Sequence, residues 1–141
     1  MCWYVEFSVD MSGNSPQHVE NVERAISGFK INAGRRTPHE VQLTKGSVED
    51  GYHTSQHCDC DHVRVPEKDR GVGHSLTQYP ELFQQLLDLP GVKKIRVHWY
   101  WSKDEPKEKE EKLTISEFFE RNNASKLSSL VEYKILKEKY Y

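Results

Sequence analysis

Val92-Lys93-Lys94-Ile95-Arg96-Val97-His98-Trp99-Tyr100-Trp101 decides the fold class. Ile95, Val97, Trp99 and Trp101 point one way, and Lys94, Arg96, His98 and Tyr100 the other. Alternation with period two over this length predicts a strand with one buried and one polar face. Pro90-Gly91 precedes it and stops the segment 77–89, where Leu82, Phe83, Leu86 and Leu87 recur at helical spacing. A helix with one apolar stripe thus runs into a strand with one apolar face.

Working outward, the same two signals recur. Residues 2–10 alternate, with Trp3, Val5, Phe7 and Val9 on one side and Tyr4, Glu6, Ser8 and Asp10 on the other. Ser12-Gly13-Asn14 is a turn, and Ser15-Pro16 reads as a helix cap followed by Pro at the first helical position. Val19, Val22, Ile26 and Phe29 form the stripe of that helix, which ends by Asn32-Ala33-Gly34. Short strands are expected at 40–43 and at 62–65, the latter stopped by Pro66. Thr114 and Glu117 carry a capping-box signature ahead of Ile115, Phe118 and Phe119, and Asn122-Asn123 breaks that helix. Val131, Tyr133 and Ile135 alternate with Glu132 and Lys134, which reads as a final strand, with a helix as the competing assignment.

This order predicts an α+β fold, a mainly antiparallel sheet with helices on one face. The recurrence of strand–helix–strand units resembles a split βαβ, ferredoxin-like core with an added C-terminal helix and strand. Residues 1–141 read as one domain, with a long polar loop at 44–75 and a charged connector at 102–112. Trp3, Phe7, Ile26, Phe29, Leu86, Val97 and Trp99 are expected to share its core.

Composition narrows the class. With 141 residues the chain is the size of one domain, and it needs neither disulfide nor metal merely to fold. A net charge of −2 carries no general footprint for duplex nucleic acid. No apolar run reaches the ~20 residues of a membrane span, and the N-terminus lacks the pattern of a signal peptide. Three Cys, with Cys58 and Cys60 too close in sequence for an unstrained disulfide, point to a reducing, cytoplasmic compartment.

The one unusual cluster is His53-Thr54-Ser55-Gln56-His57-Cys58-Asp59-Cys60-Asp61-His62. Thiolate and imidazole are preferred zinc ligands, so His53, His57, Cys58, Cys60 and His62 are the candidate metal ligands and zinc the candidate cofactor. In an extended strand Cys58 and Cys60 would stand ~6.6 Å apart along the chain, too far for two sulfurs on one zinc, so a site requires a turn. The spacing is not that of a zinc finger. The competing reading makes the Cys small, partly buried residues and the His hydrogen-bonded loop side chains. His53-Thr54-Ser55 also matches the H-x-S pattern that two-histidine phosphodiesterases carry twice, but no second copy follows.

No catalytic constellation assembles from the sequence. The expectation is a binding or regulatory protein acting on a protein partner, similar in composition to inhibitors and immunity proteins. A hydrolase using the His/Cys loop, metal-assisted or Cys-dependent, is the first alternative. A single-stranded RNA binder using Lys94, Arg96, His98 and Tyr100 is the second. No membrane partner is expected.

Overall fold

The computed structural model describes residues 3–11, 16–27, 40–44, 49–55, 60, 62–66, 72–101 and 108–138. For Met11, Val19, Ser27, 40–44 and 49–55 it describes the backbone. The elements are β1 (Tyr4–Met11), α1 (Pro16–Ser27), β2 (Glu40–Thr44), β3 (Glu49–Ser55), β4 (Val63–Arg64), β5 (Ser75–Leu76), α2 (Tyr79–Leu87), β6 (Val92–Tyr100), β7 (Lys109–Thr114), α3 (Ile115–Asn123) and β8 (Val131–Leu136).

Six strands make one sheet in the order β2-β3-β1-β6-β8-β7, and β4 and β5 make a separate pair. All neighbours in the large sheet are antiparallel except β7 and β8. β1 and β2 therefore run the same way with β3 between them, and α1 lies in their connection. β3 and β6 likewise run the same way on either side of β1, with α2 in theirs. The parallel β7–β8 pair is joined through α3, as a parallel connection requires a crossover. The chain is thus α+β with a mostly antiparallel mixed sheet and three helices among the described residues.

One core holds these elements together. Val5, Phe7 and Val9 of β1, Ile95, Val97 and Trp99 of β6, and Tyr133 and Ile135 of β8 are buried with Val22 and Ile26 of α1, Leu82, Phe83 and Leu86 of α2 and Phe118 of α3. All three helices therefore cover the same face. The expected core residues Trp3, Phe7, Ile26, Leu86, Val97 and Trp99 all belong to it; Phe29 lies outside the described residues. Gly91, at φ +86° between α2 and β6, passes the α1 side chain His18 so closely that a Cβ would sit 2.5 Å from its Nδ1. Only glycine suits both the backbone angle and that approach.

Two sequence expectations need correction. The expected connector at 102–112 does not extend through its last residues, because Lys109–Thr114 is β7. Its charges disguised it: β7 is an edge strand, where Lys and Glu blunt pairing with other chains. Only Leu113 of β7 is buried, so the apolar alternation is nearly absent. The polar loop at 44–75 contains β3, which pairs with both β1 and β2. Tyr52 is the sole large apolar residue of β3, and Gly51 and Asp50 weaken its strand signal. Pairing with β1 overrides that propensity. The final segment is a strand, β8, and not a helix.

Candidate functional site

The predicted His/Cys cluster is only partly within the described residues. His57, Cys58, Asp59 and Asp61 lie outside them. His53 lies in β3, where its backbone pairs in register with Glu6 of β1 and Gln42 of β2. Cys60 is exposed, whereas His62 is buried. The Cys60 sulfur accepts the Trp3 backbone N–H at 3.4 Å. His62 is 3% exposed, its ring meets Tyr79 edge-on at 6.0 Å, and its carbonyl accepts the Thr77 N–H at 2.9 Å. Among the described residues, no three of His, Cys, Asp or Glu gather as a metal would require.

His74, the other histidine of this stretch, is fully buried. The Trp99 indole N–H donates to its Nδ1 at 2.9 Å. Indole is a donor only, so Nδ1 accepts and the ring proton resides on Nε2. The Trp3 ring meets the imidazole edge-on at 5.2 Å. The His74 backbone exchanges two hydrogen bonds with Leu127, at 2.8 and 3.0 Å. Nearby, the Leu76 N–H donates to Asn122 Oδ1 at 2.6 Å, and the Asn122 amide returns a bond to the Leu76 carbonyl at 3.0 Å. His74 and Leu76 thereby fasten β5 to the sheet core and to the segment around α3. The histidine-rich stretch owes this much of its composition to packing.

The second candidate is the open face of the sheet. Its outward positions are Tyr4, Glu6, Ser8 and Asp10 on β1 and Lys94, Arg96, His98 and Tyr100 on β6, in direct register. Tyr4 and Tyr100 stack across the strands at 5.7 Å, and His98 stacks on Tyr100 at 6.2 Å. The Tyr100 hydroxyl donates to Glu6 Oε1 at 2.9 Å, and His98 Nε2 lies 2.8 Å from the Ser129 carbonyl. The basic groups have acidic neighbours: Lys94 is 3.8 Å from Asp10, Arg96 is 4.0 Å from Glu132, and Lys134 is 3.0 Å from Glu110.

Comparison with protein-family models, curated proteins and solved structures finds no match for this chain. What the site does is therefore read from its side chains. The open face joins an aromatic strip to a set of ion-paired charges. Sequence reading found the β6 half of this face. It missed that Tyr4 and Glu6 complete it, although the alternation at 2–10 already placed them on one side. The missing link was the β1–β6 pairing, a contact between strands about ninety residues apart in the chain.

Proposed function

We propose that the chain is a binding protein of inhibitor or immunity type that contacts a protein partner through the open face of its sheet. The observation carrying this reading is the stacked row Tyr4–Tyr100–His98 on the face that α1, α2 and α3 leave uncovered. Rigid aromatics contribute contact area at low entropic cost and dominate the energetics of protein interfaces. The ion pairs of Lys94 and Arg96 with Asp10 and Glu132 weigh against single-stranded RNA, which needs unneutralised cations along its backbone. The packing of Cys60 on the Trp3 backbone and of His62 on Tyr79 gives both side chains structural duties, which favours the reading without metal.

We read the core that carries this face as ferredoxin-like, a reading supported by the order β1, α1, β2, β3, α2, β6, with β1 between β3 and β6 and β3 between β1 and β2. β7, α3 and β8 extend the sheet beyond β6. No described helix is long and apolar enough to cross a membrane.

Affinity capture with face variants tests the function. Tyr100→Ala should release the captured protein, whereas Glu81→Lys on the exposed side of α2 should retain it. Equal capture by wild type and Tyr100→Ala, with the fold intact by circular dichroism, contradicts the proposal. Metal content by elemental analysis tests the site at 53–62 independently: stoichiometric zinc would restore His53, His57, Cys58, Cys60 and His62 as candidate ligands.

A further inference from the structure

Residues 74–77, which contain β5, run between two backbone positions of the same unusual kind. Gly73 before them has φ +72° and Gln78 after them φ +71°. Glycine adopts such an angle freely, whereas a residue with a Cβ is strained there. The start of α2 does not call for it. The residue before a helix ordinarily sits in the extended region and caps the first turn with its side chain. Gln78 instead has φ 71° and ψ −36° and makes no side-chain cap bond. The other non-glycine residue with a positive φ among those described is Ser125, and its place explains it. It stands just past α3, where its N–H donates to the Asn122 carbonyl and the Lys126 N–H donates to the Arg121 carbonyl, the usual left-handed close of a helix. The strain at Gln78 has no such local reason, so it is held by the bonds that fix 74–77.

Those bonds are specific. His74 accepts the Trp99 indole N–H, and its backbone exchanges two hydrogen bonds with Leu127. The Asn122 side chain bonds both the N–H and the carbonyl of Leu76, and the Thr77 N–H donates to the His62 carbonyl. His74 and Leu76 are buried, so the segment is packed when closed. Its ladder is nevertheless short. β5 pairs with β4 at two positions and stands outside the six-stranded sheet, whereas β1 and β6 are each paired along both edges. A two-stranded pair with a strained end belongs to the low-stability part of a fold.

We propose that residues 74–77 form a hinged strap that swings out as one unit about Gly73 and Gln78 while the six-stranded sheet stays folded. Opening relieves Gln78 and uncovers the rings of Trp3 and Trp99, against which the His74 imidazole rests. It also frees the Trp99 indole N–H as a donor at the floor of the opening. The strap packs on the buried side of β6, so it stands apart from the contact surface proposed above.

Native-state hydrogen exchange of the full chain, followed amide by amide by NMR, reads the strap directly. In the wild type the amides of His74, Leu76, Thr77 and Leu127 should share one protection factor, about tenfold or more below those of β1 and β6. Asn122→Ala removes the two bonds to Leu76. It should speed exchange about tenfold at all four amides and leave β1 and β6 unchanged. Gly73→Ala places a Cβ at φ +72° and 3.1 Å from Pro66 Cγ, which strains the closed strap, and it should act on the same four amides. Equal protection of strap and sheet amides in the wild type would show that the strap opens only with the whole fold, and would overturn the proposal. That comparison decides the matter even where a variant fails to fold. Asn122→Ala acting on Leu76 alone, or on the sheet as strongly as on the strap, overturns it as well.

Discussion

At the scale of single residues, His74 and Tyr133 carry polar chemistry inside an apolar core. His74 accepts the Trp99 indole N–H at 2.9 Å. His74→Phe fits the aromatic surroundings but removes the acceptor, leaving a buried N–H at a cost of about 1–3 kcal/mol. Adding Trp99→Phe deletes the orphaned donor, so the double variant should lose less than the two single losses combined. Urea denaturation reads both numbers, and a His74→Phe protein as stable as wild type would show that the bond contributes nothing. Tyr133 differs in that its proton is held by burial. Burial raises its phenol above the ordinary tyrosine value, while the hydrogen bond from the Ser128 N–H lowers it. Below pH ~10 the phenol is neutral in both folded and unfolded chains. Above that, the unfolded chain ionises first, so stability falls as pH rises toward the higher folded value. Tyr133→Phe should show a shallower alkaline loss of stability than wild type. Identical alkaline slopes would contradict the assignment. None of this was legible in the sequence. His74 read there as one more loop histidine, because its partner lies 25 residues on and on another element.

At the scale of elements, the sequence was most legible where local signals and packing agree. The capping box at Thr114 and Glu117 is realised in both directions: the Glu117 N–H donates to Thr114 Oγ1 and the Thr114 N–H donates to Glu117 Oε1, each at 3.2 Å. Thr114→Ala removes the cap at the junction of β7 and α3 and should cost about 1 kcal/mol. Thermal denaturation would detect it, and an unchanged midpoint would show that the crossover does not depend on its cap. β1, β6 and β8 were readable because each alternates cleanly against a single core. β3 and β7 were not. Their strand character comes from neighbours: β3 lies between β1 and β2, and β7 lies beside β8. Arg121 of α3 reaches back to Glu111 of β7 at 2.6 Å, a contact that raises the guanidinium above its ordinary value by hydrogen bonding to the carboxylate. No periodicity encodes such a pair. The same limit applied to the candidate site. The sequence drew attention to His53–His62, where composition was unusual, while the aromatic row on the open face emerges only when β1 and β6 are set side by side.

At the scale of the molecule, one face is committed to helices and core and the other to a compensated, aromatic surface. If the open face is where macromolecules dock, occupation must shield it and spare the rest. Lysine acetylation read by mass spectrometry makes this a single measurement, since Lys112 lies on the open face and Lys126 lies in the exposed loop after α3. The account predicts that labelling of Lys112 falls when the captured partner is bound, while labelling of Lys126 stays constant. Unchanged labelling of Lys112 in a demonstrably bound complex, with protection appearing at Lys126 instead, would contradict it.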